Sequence, residues 1–397
     1  LPVLHSLFVN IKKPFLKYFP VPTPECIIGP QSVREVPDKL DSYKGRRPLV
    51  VTDDVLLELG LVAPVLQSLD TNGISYHLFS EIEPDPDFET VRAGVARYQH
   101  KECDSLILVG GGSVMDCGKA IAASVTTKKD ISRLVGLLRV RRKAPPMIAI
   151  PTTAGTGSEC TVAAVITDSE QRIKRVIADP FLVPKCAILD ATLMIGLPPH
   201  ITAHTGIDAL THAIESFLSG YAGRFSREQS IQAIEGIFSK LPIAHENGQD
   251  LEARETMALA SYQAGLAFTR TYVGYVHAIA HQLGAIYHVP HGLANAIVLP
   301  AVLAYCRPAI DRKLAELARA VNINDSPDDA QAAAAFVETL NDLLELLDIP
   351  KTVAALQSSD IDEIAQRALD EAFGQYPVPV QLNHAQCREI LLGLLPN

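Results

Sequence analysis

Short apolar runs alternate with helical patterns through the first half of the chain. Pro48–Thr52, Ser75–Ser80, Ser105–Val109, Met147–Ile150 and Cys186–Leu189 read as strands, and several are apolar at successive positions, as strands buried on both faces are. Between them, Val55–Leu69, Pro86–Gln99 and Val114–Ser124 carry apolar residues at helical spacing. Strand, helix and strand in succession predict a mostly parallel sheet covered by helices, a Rossmann-like α/β fold. After Leu197 and the pair Pro198-Pro199 the strand pattern gives way to long helical segments: Ile207–Leu218, Ser226–Leu241, Leu251–Phe268, Tyr275–Tyr287 and others down to Leu395. The prolines punctuate a boundary. The prediction is an α/β domain over residues 1–197 followed by an all-helical domain over 198–397, with a ligand expected in the cleft between them. The sequence shows no fixed-period repeat.

Composition narrows the function classes. A chain of 397 residues with 48% apolar and 20% charged positions suits two folded domains rather than a disordered or motif-only protein. A net charge of −10 repels polyanions, which argues against nucleic acid as a partner. The seven cysteines form no CxxC pair and are odd in number, so a reducing compartment, the cytoplasm, is expected rather than a disulfide framework. The start shows no secretory pattern of a long apolar run before a small-residue cleavage site. Thr271–Cys306 lacks Asp, Glu, Lys and Arg, but four histidines, Gln282, Asn295 and two prolines interrupt it, so buried helix is expected there rather than a membrane span.

Gly110, Gly111 and Gly112 follow an apolar strand and precede a helix opening at Ser113. Glycines allow close backbone approach, and the N–H groups of a helix start attract phosphate oxygens. The turn is neither GxGxxG nor a Walker loop. Alone it is equally a tight strand-to-helix turn. A second loop, Pro151–Glu159, follows the next strand and offers the hydroxyls of Thr152, Thr153, Thr156 and Ser158. Two such loops at neighbouring strand ends are where an open α/β sheet binds its ligand, and they favour a pyrophosphate cradle. Asp53 follows the strand ending at Thr52; a carboxylate there can accept from ribose hydroxyls, yet its spacing favours a helix cap. The basic run Arg139–Lys143 reads as a solvated connector.

Eight of the twelve histidines lie between residues 200 and 291. Asp208 and His212 stand four apart, as do His277 and His281, and His291 follows. Each pair shares one face of an otherwise apolar helix. One carboxylate and several imidazoles in such a setting favour a divalent metal over separately compensated core histidines. A metal that acidifies a hydroxyl, beside a dinucleotide that accepts hydride, specifies alcohol oxidation and its reverse.

With these motifs in order, the sequence resembles the iron-containing, group III alcohol dehydrogenases. Gly110–Lys119, Pro151–Glu159, Gly206–Glu215 and His277–Pro300 carry the resemblance, which runs from about Cys26 to the last helices. It implies an N-terminal dinucleotide-binding domain, an all-α metal-binding domain, and a homodimer acting on a small alcohol or aldehyde. It further implies Asp208, His212, His277 and His291 as metal ligands, and His281 as the catalytic histidine near the nicotinamide. Gly111, Gly112, Ser113 and Asp116 match the pyrophosphate motif, Thr152 and Thr153 the second cofactor loop, Lys174 a ribose-contacting lysine, and Asp53 the adenosine-ribose carboxylate, which overrides the capping preference. The implied cofactors are NAD rather than NADP, and Fe²⁺, with Zn²⁺ or another divalent ion as substitutes. Two departures stand out: Gln282 where many members have proline, and the extra imidazole of His288, for which a surface place at the helix end is expected. Residues before Cys26 look like an extension. Rival readings are a dehydroquinate-synthase-like lyase that regenerates NAD within its cycle, and a non-catalytic NAD-binding protein.

Overall fold

Six strands, β1 (Glu25–Ile28), β2 (Pro48–Val51), β3 (His77–Phe79), β4 (Ser105–Gly110), β6 (Met147–Pro151) and β9 (Cys186–Leu189), form one sheet in the order β1-β9-β6-β4-β2-β3. All five pairings are parallel. The computed structural model describes residues 8–11, 13, 21–171 and 173–396. The apolar runs lack alternation because both faces are covered. Leu49, Val51, Leu106, Leu108, Met147 and Ala149 enter one core with helices Phe88–His100 and Gly112–Thr127, while Val50, Ile107, Val109, Ile148 and Ile150 enter another with helices Val36–Ser42 and Ala63–Thr71. Alternate side chains of one strand point to opposite faces, so each needs an apolar partner there.

Some expectations require correction. The helix expected over Val55–Leu69 is two helices, Asp54–Glu58 and Ala63–Thr71, because Gly60 turns left-handed at φ +72° and Pro64 starts the second helix. The sequence reading also passed over β1, which pairs with β9, and a second sheet of β5 (Gly136–Leu137), β7 (Ala163–Asp168) and β8 (Ile173–Ala178), in which β7 and β8 are antiparallel. These strands are short or half-exposed and lack a long Val/Ile/Leu run.

Among the described residues, all strands lie before residue 190, and helices make up the remaining regular structure. The described residues divide into two compact units, one of residues 21–171 and 173–197 with Gln249–Tyr262, the other of residues 8–11, 13, Pro198–Gly248 and 263–396. Gln249–Tyr262 groups with the sheet because Tyr262 Oη donates to Pro24 O at 3.1 Å, Arg254 donates to Leu197 O at 3.1 Å and Gln249 to Ile195 O at 3.0 Å. In the helical unit, Pro199–Leu218, Tyr275–Tyr287 and His291–Cys306 carry the aspartate and histidines singled out above. The segment Thr271–Cys306 falls across the last residue of helix Leu251–Thr271 and the two helices after it, and none of the described helices is long and apolar enough to cross a membrane.

Candidate active site

In the sheet unit the chain direction along the sheet switches between β2 and β4, where open α/β sheets bind ligands at the carboxyl ends of strands. Gly110 of β4 registers with Pro151 of β6, and Thr152 N donates to Gly110 O at 3.1 Å, so the two loops leave the sheet side by side. Helix Gly112–Thr127 starts there with Gly111 at its N-cap and no capping side chain. A Cβ on Gly112 would lie 2.8 Å from Thr156 Cγ2, so glycine permits the close approach of the loops. An uncapped start of a long helix, flanked by Ser113, Thr152 and Thr153, fits a pyrophosphate.

Beneath this turn lies a buried polar relay that the sequence did not resolve. Lys119 is fully buried, and its Nζ donates to Ser158 Oγ, Thr161 Oγ1 and Ala163 O, each at 2.9 Å. Three acceptors satisfy all three ammonium protons. Burial still lowers its pKa to about 8, against the attraction of Asp116. Ser158 Oγ donates in turn to Asp116 Oδ1 at 2.7 Å, and Asp116 Oδ2 accepts from Val165 N at 2.9 Å. Asp116 and Lys119 thereby tie the helix to the second loop. Asp53 Oδ1 caps helix Asp54–Glu58 by accepting from Leu56 N at 2.8 Å, as its spacing indicated. Lys174, on β8, pairs with Asp85 at 2.7 Å, and Asp85 N lies 3.4 Å from Ser113 Oγ.

In the helical unit the structure brings Asp208, His277 and His291 together, with ligand atoms all within 4.8 Å of one another. Asp208 Oδ1 is 3.8 Å from His277 Nε2 and 3.4 Å from His291 Nε2. Ligands about 2.1 Å from a shared tetrahedral ion stand about 3.4 Å apart. His277 Nε2 is buried with no hydrogen-bond partner, an arrangement that costs about 1 to 3 kcal/mol. Burial, and then the neighbouring imidazoles, hold the His277 pKa well below its usual range, so its lone pair is available. An unpartnered buried nitrogen facing a carboxylate and a second imidazole fits a divalent cation. His212 lies outside that trio; its ring stacks on His277 at 4.4 Å and on Phe268 at 4.1 Å. His281 stacks on His291 at 5.2 Å. His288 is an exposed left-handed helix cap, as expected from its position at a helix end.

Three supporting residues escaped the sequence reading. Glu215 Oε2 accepts from His277 Nδ1 and Gly274 N, both at 2.7 Å, and Oε1 accepts from Val276 N at 2.8 Å. Burial raises its pKa to about 7, opposed by those backbone donors. A Cβ on Gly274 would lie 2.6 Å from Glu215 Oε1, so this carboxylate needs glycine there. Asn295 Nδ2 donates to Asp208 Oδ1 at 2.7 Å and lies 3.1 Å from His291 Nε2. Glu371 Oε1 accepts from His281 Nδ1 at 2.6 Å. Glu215 follows Asp208 by seven residues and Asn295 follows His291 by four, spacings that place each on its helix's ligand face. No local pattern marks Glu371.

Residues 22–191 match the family described as iron-containing alcohol dehydrogenase, and residues 202–395 match the C-terminal part of the same family. The chain is 40% identical to a 1,3-propanediol dehydrogenase of Klebsiella pneumoniae, over 79% of this chain and 82% of that one. It is 36% identical to an NAD-dependent methanol dehydrogenase of Bacillus methanolicus, over 89% of this chain and 93% of that one. The crystal structure of a 1,3-propanediol oxidoreductase superposes with a TM-score of 0.91 at 36% identity, covering 94% of this chain and 99% of the other.

Proposed function

The chain belongs to the iron-containing alcohol dehydrogenase family, and from that premise we propose that it is an NAD-dependent oxidoreductase acting on the CH–OH group of a small alcohol, and on the aldehyde or ketone in reverse. The observation that carries the reading is the convergence of Asp208, His277 and His291 around an orphaned imidazole nitrogen. These three would hold a divalent metal, Fe²⁺ by family and Zn²⁺ as a substitute, with His212 as the fourth ligand. When bound, the metal would acidify the alcohol hydroxyl and NAD would accept the hydride.

The remaining work falls to the protein. Glu215 fixes His277 with Nδ1 protonated, so that Nε2 presents its lone pair toward Asp208. Asn295 orients the Asp208 carboxylate. His281 takes the alcohol proton. In the sheet unit, Gly111, Gly112 and Ser113 would receive the pyrophosphate, with Thr152 and Thr153 beside it and Asp116 holding the loop from beneath. Lys174 would reach the cofactor ribose, and the second oxygen of Asp53 would take the adenosine ribose and disfavour a 2′-phosphate. All seven cysteines are free, which supports a reducing, cytoplasmic setting, and family kinship supports a homodimer; light scattering tests the latter.

The test is a panel of primary alcohols, diols and aldehydes with NAD and NADP, using protein reconstituted anaerobically with Fe²⁺ or Zn²⁺. Net NADH formation from an alcohol supports the reading. Tight NAD binding without turnover across the panel contradicts it.

A further inference from the structure

We propose that Glu371, braced by Tyr376, is a positioning residue that sets the tautomer and ring orientation of His281. The inference rests on the reading of His281 as the residue that takes the alcohol proton. Glu371 lies in the last turn of helix Ile361–Ala372, ninety residues from His281 in sequence, so only tertiary packing brings them together. Its Oε1 accepts from His281 Nδ1 at 2.6 Å and from the Tyr376 hydroxyl at 2.7 Å, while Oε2 accepts from Gln282 Nε2 at 2.9 Å. Three donors on three separate side chains hold the carboxylate in one orientation. Tyr376 is itself buried, which fixes its hydroxyl.

The consequence for His281 is chemical. A neutral imidazole carries its proton on either nitrogen, and a carboxylate accepting at Nδ1 selects the form whose lone pair is on Nε2. The stacking of His281 on His291, 5.2 Å apart and 17° from parallel, sets the plane in which that nitrogen lies, beside the candidate metal ligands. Gln282, the residue after His281, supplies one of the three donors and so is part of the brace.

The experiment compares wild type, Glu371→Gln, Glu371→Asp and His281→Asn in the Zn²⁺-loaded enzyme. It measures kcat and KM for NAD and alcohol, metal content, and the ¹⁵N shifts of the His281 ring. The expected result for Glu371→Gln is a kcat lower by about 10- to 100-fold, KM for NAD within about twofold of wild type, full metal content, and a His281 ring shifted to a mixture of tautomers. Glu371→Asp recovers part of kcat and the single tautomer. Wild-type kcat with an unchanged tautomer in Glu371→Gln overturns the proposal, as does a loss of kcat that tracks metal loss while the tautomer stays fixed. If His281→Asn retains wild-type kcat, the proton role of His281 fails; if His281→Asn is impaired and Glu371→Gln is not, only the Glu371 proposal fails.

Discussion

Glu215 Oε2 lies 2.7 Å from Nδ1 of His277, and this contact turns the opposite ring nitrogen toward Asp208. The carboxylate is held by two backbone N–H groups at the start of the helix that carries the histidine, so helix and ligand are aimed together. Replacing Glu215 with Gln should weaken metal affinity by about 10- to 100-fold and leave NADH binding unchanged. Metal competition titration and NADH fluorescence check the two halves of this prediction.

Lys119 ties helix Gly112–Thr127 to the loop that follows β6. Changing it to Ala removes the donor to Ser158, Thr161 and Ala163 and opens space in a fully buried region. The expected cost is about 2 to 4 kcal/mol in urea unfolding, with weaker NADH binding because Ser158 and its loop lose their anchor. Wild-type stability and NADH affinity in this variant would contradict the assignment.

Glu159, 2% exposed, has its pKa raised from 4.5 to about 7 by burial, with the Lys119 charge opposing. Between those values the folded chain holds a proton that the unfolded chain has released, so rising pH favours unfolding. The stabilisation linked to this proton is complete below about pH 4.5 and is lost as pH rises through about 7. Thermal melts of metal-free protein across this window should show a smaller downward slope for Glu159→Gln than for wild type. Equal slopes would remove Glu159 as the source.

Much of this was legible in the sequence, for identifiable reasons. Strands such as Leu106–Val109 are covered on both faces and so are apolar at successive positions, and the shortness of the run, ended by Gly110, separates it from a buried helix. The spacing of Asp208 with His212 and of His277 with His281 marked two polar faces on apolar helices. It did not show that His277 and His291, rather than another pair of imidazoles, meet Asp208; that came from the family resemblance and, independently, from the structure. Spacing was silent on Glu371, whose partner lies ninety residues away. It was equally silent on β7 and β8, whose mixed residues pair with each other rather than filling a two-sided core.

The central claim is that Asp208, His277 and His291 hold the metal on which alcohol oxidation depends. Metal content and alcohol-dependent NADH formation, measured together on reconstituted wild type and His277→Ala, test it most directly. The account predicts about one divalent ion per chain and turnover in wild type, and neither in His277→Ala, with NADH binding intact in both. Retained metal in His277→Ala, or full turnover by wild type stripped of metal, would contradict it.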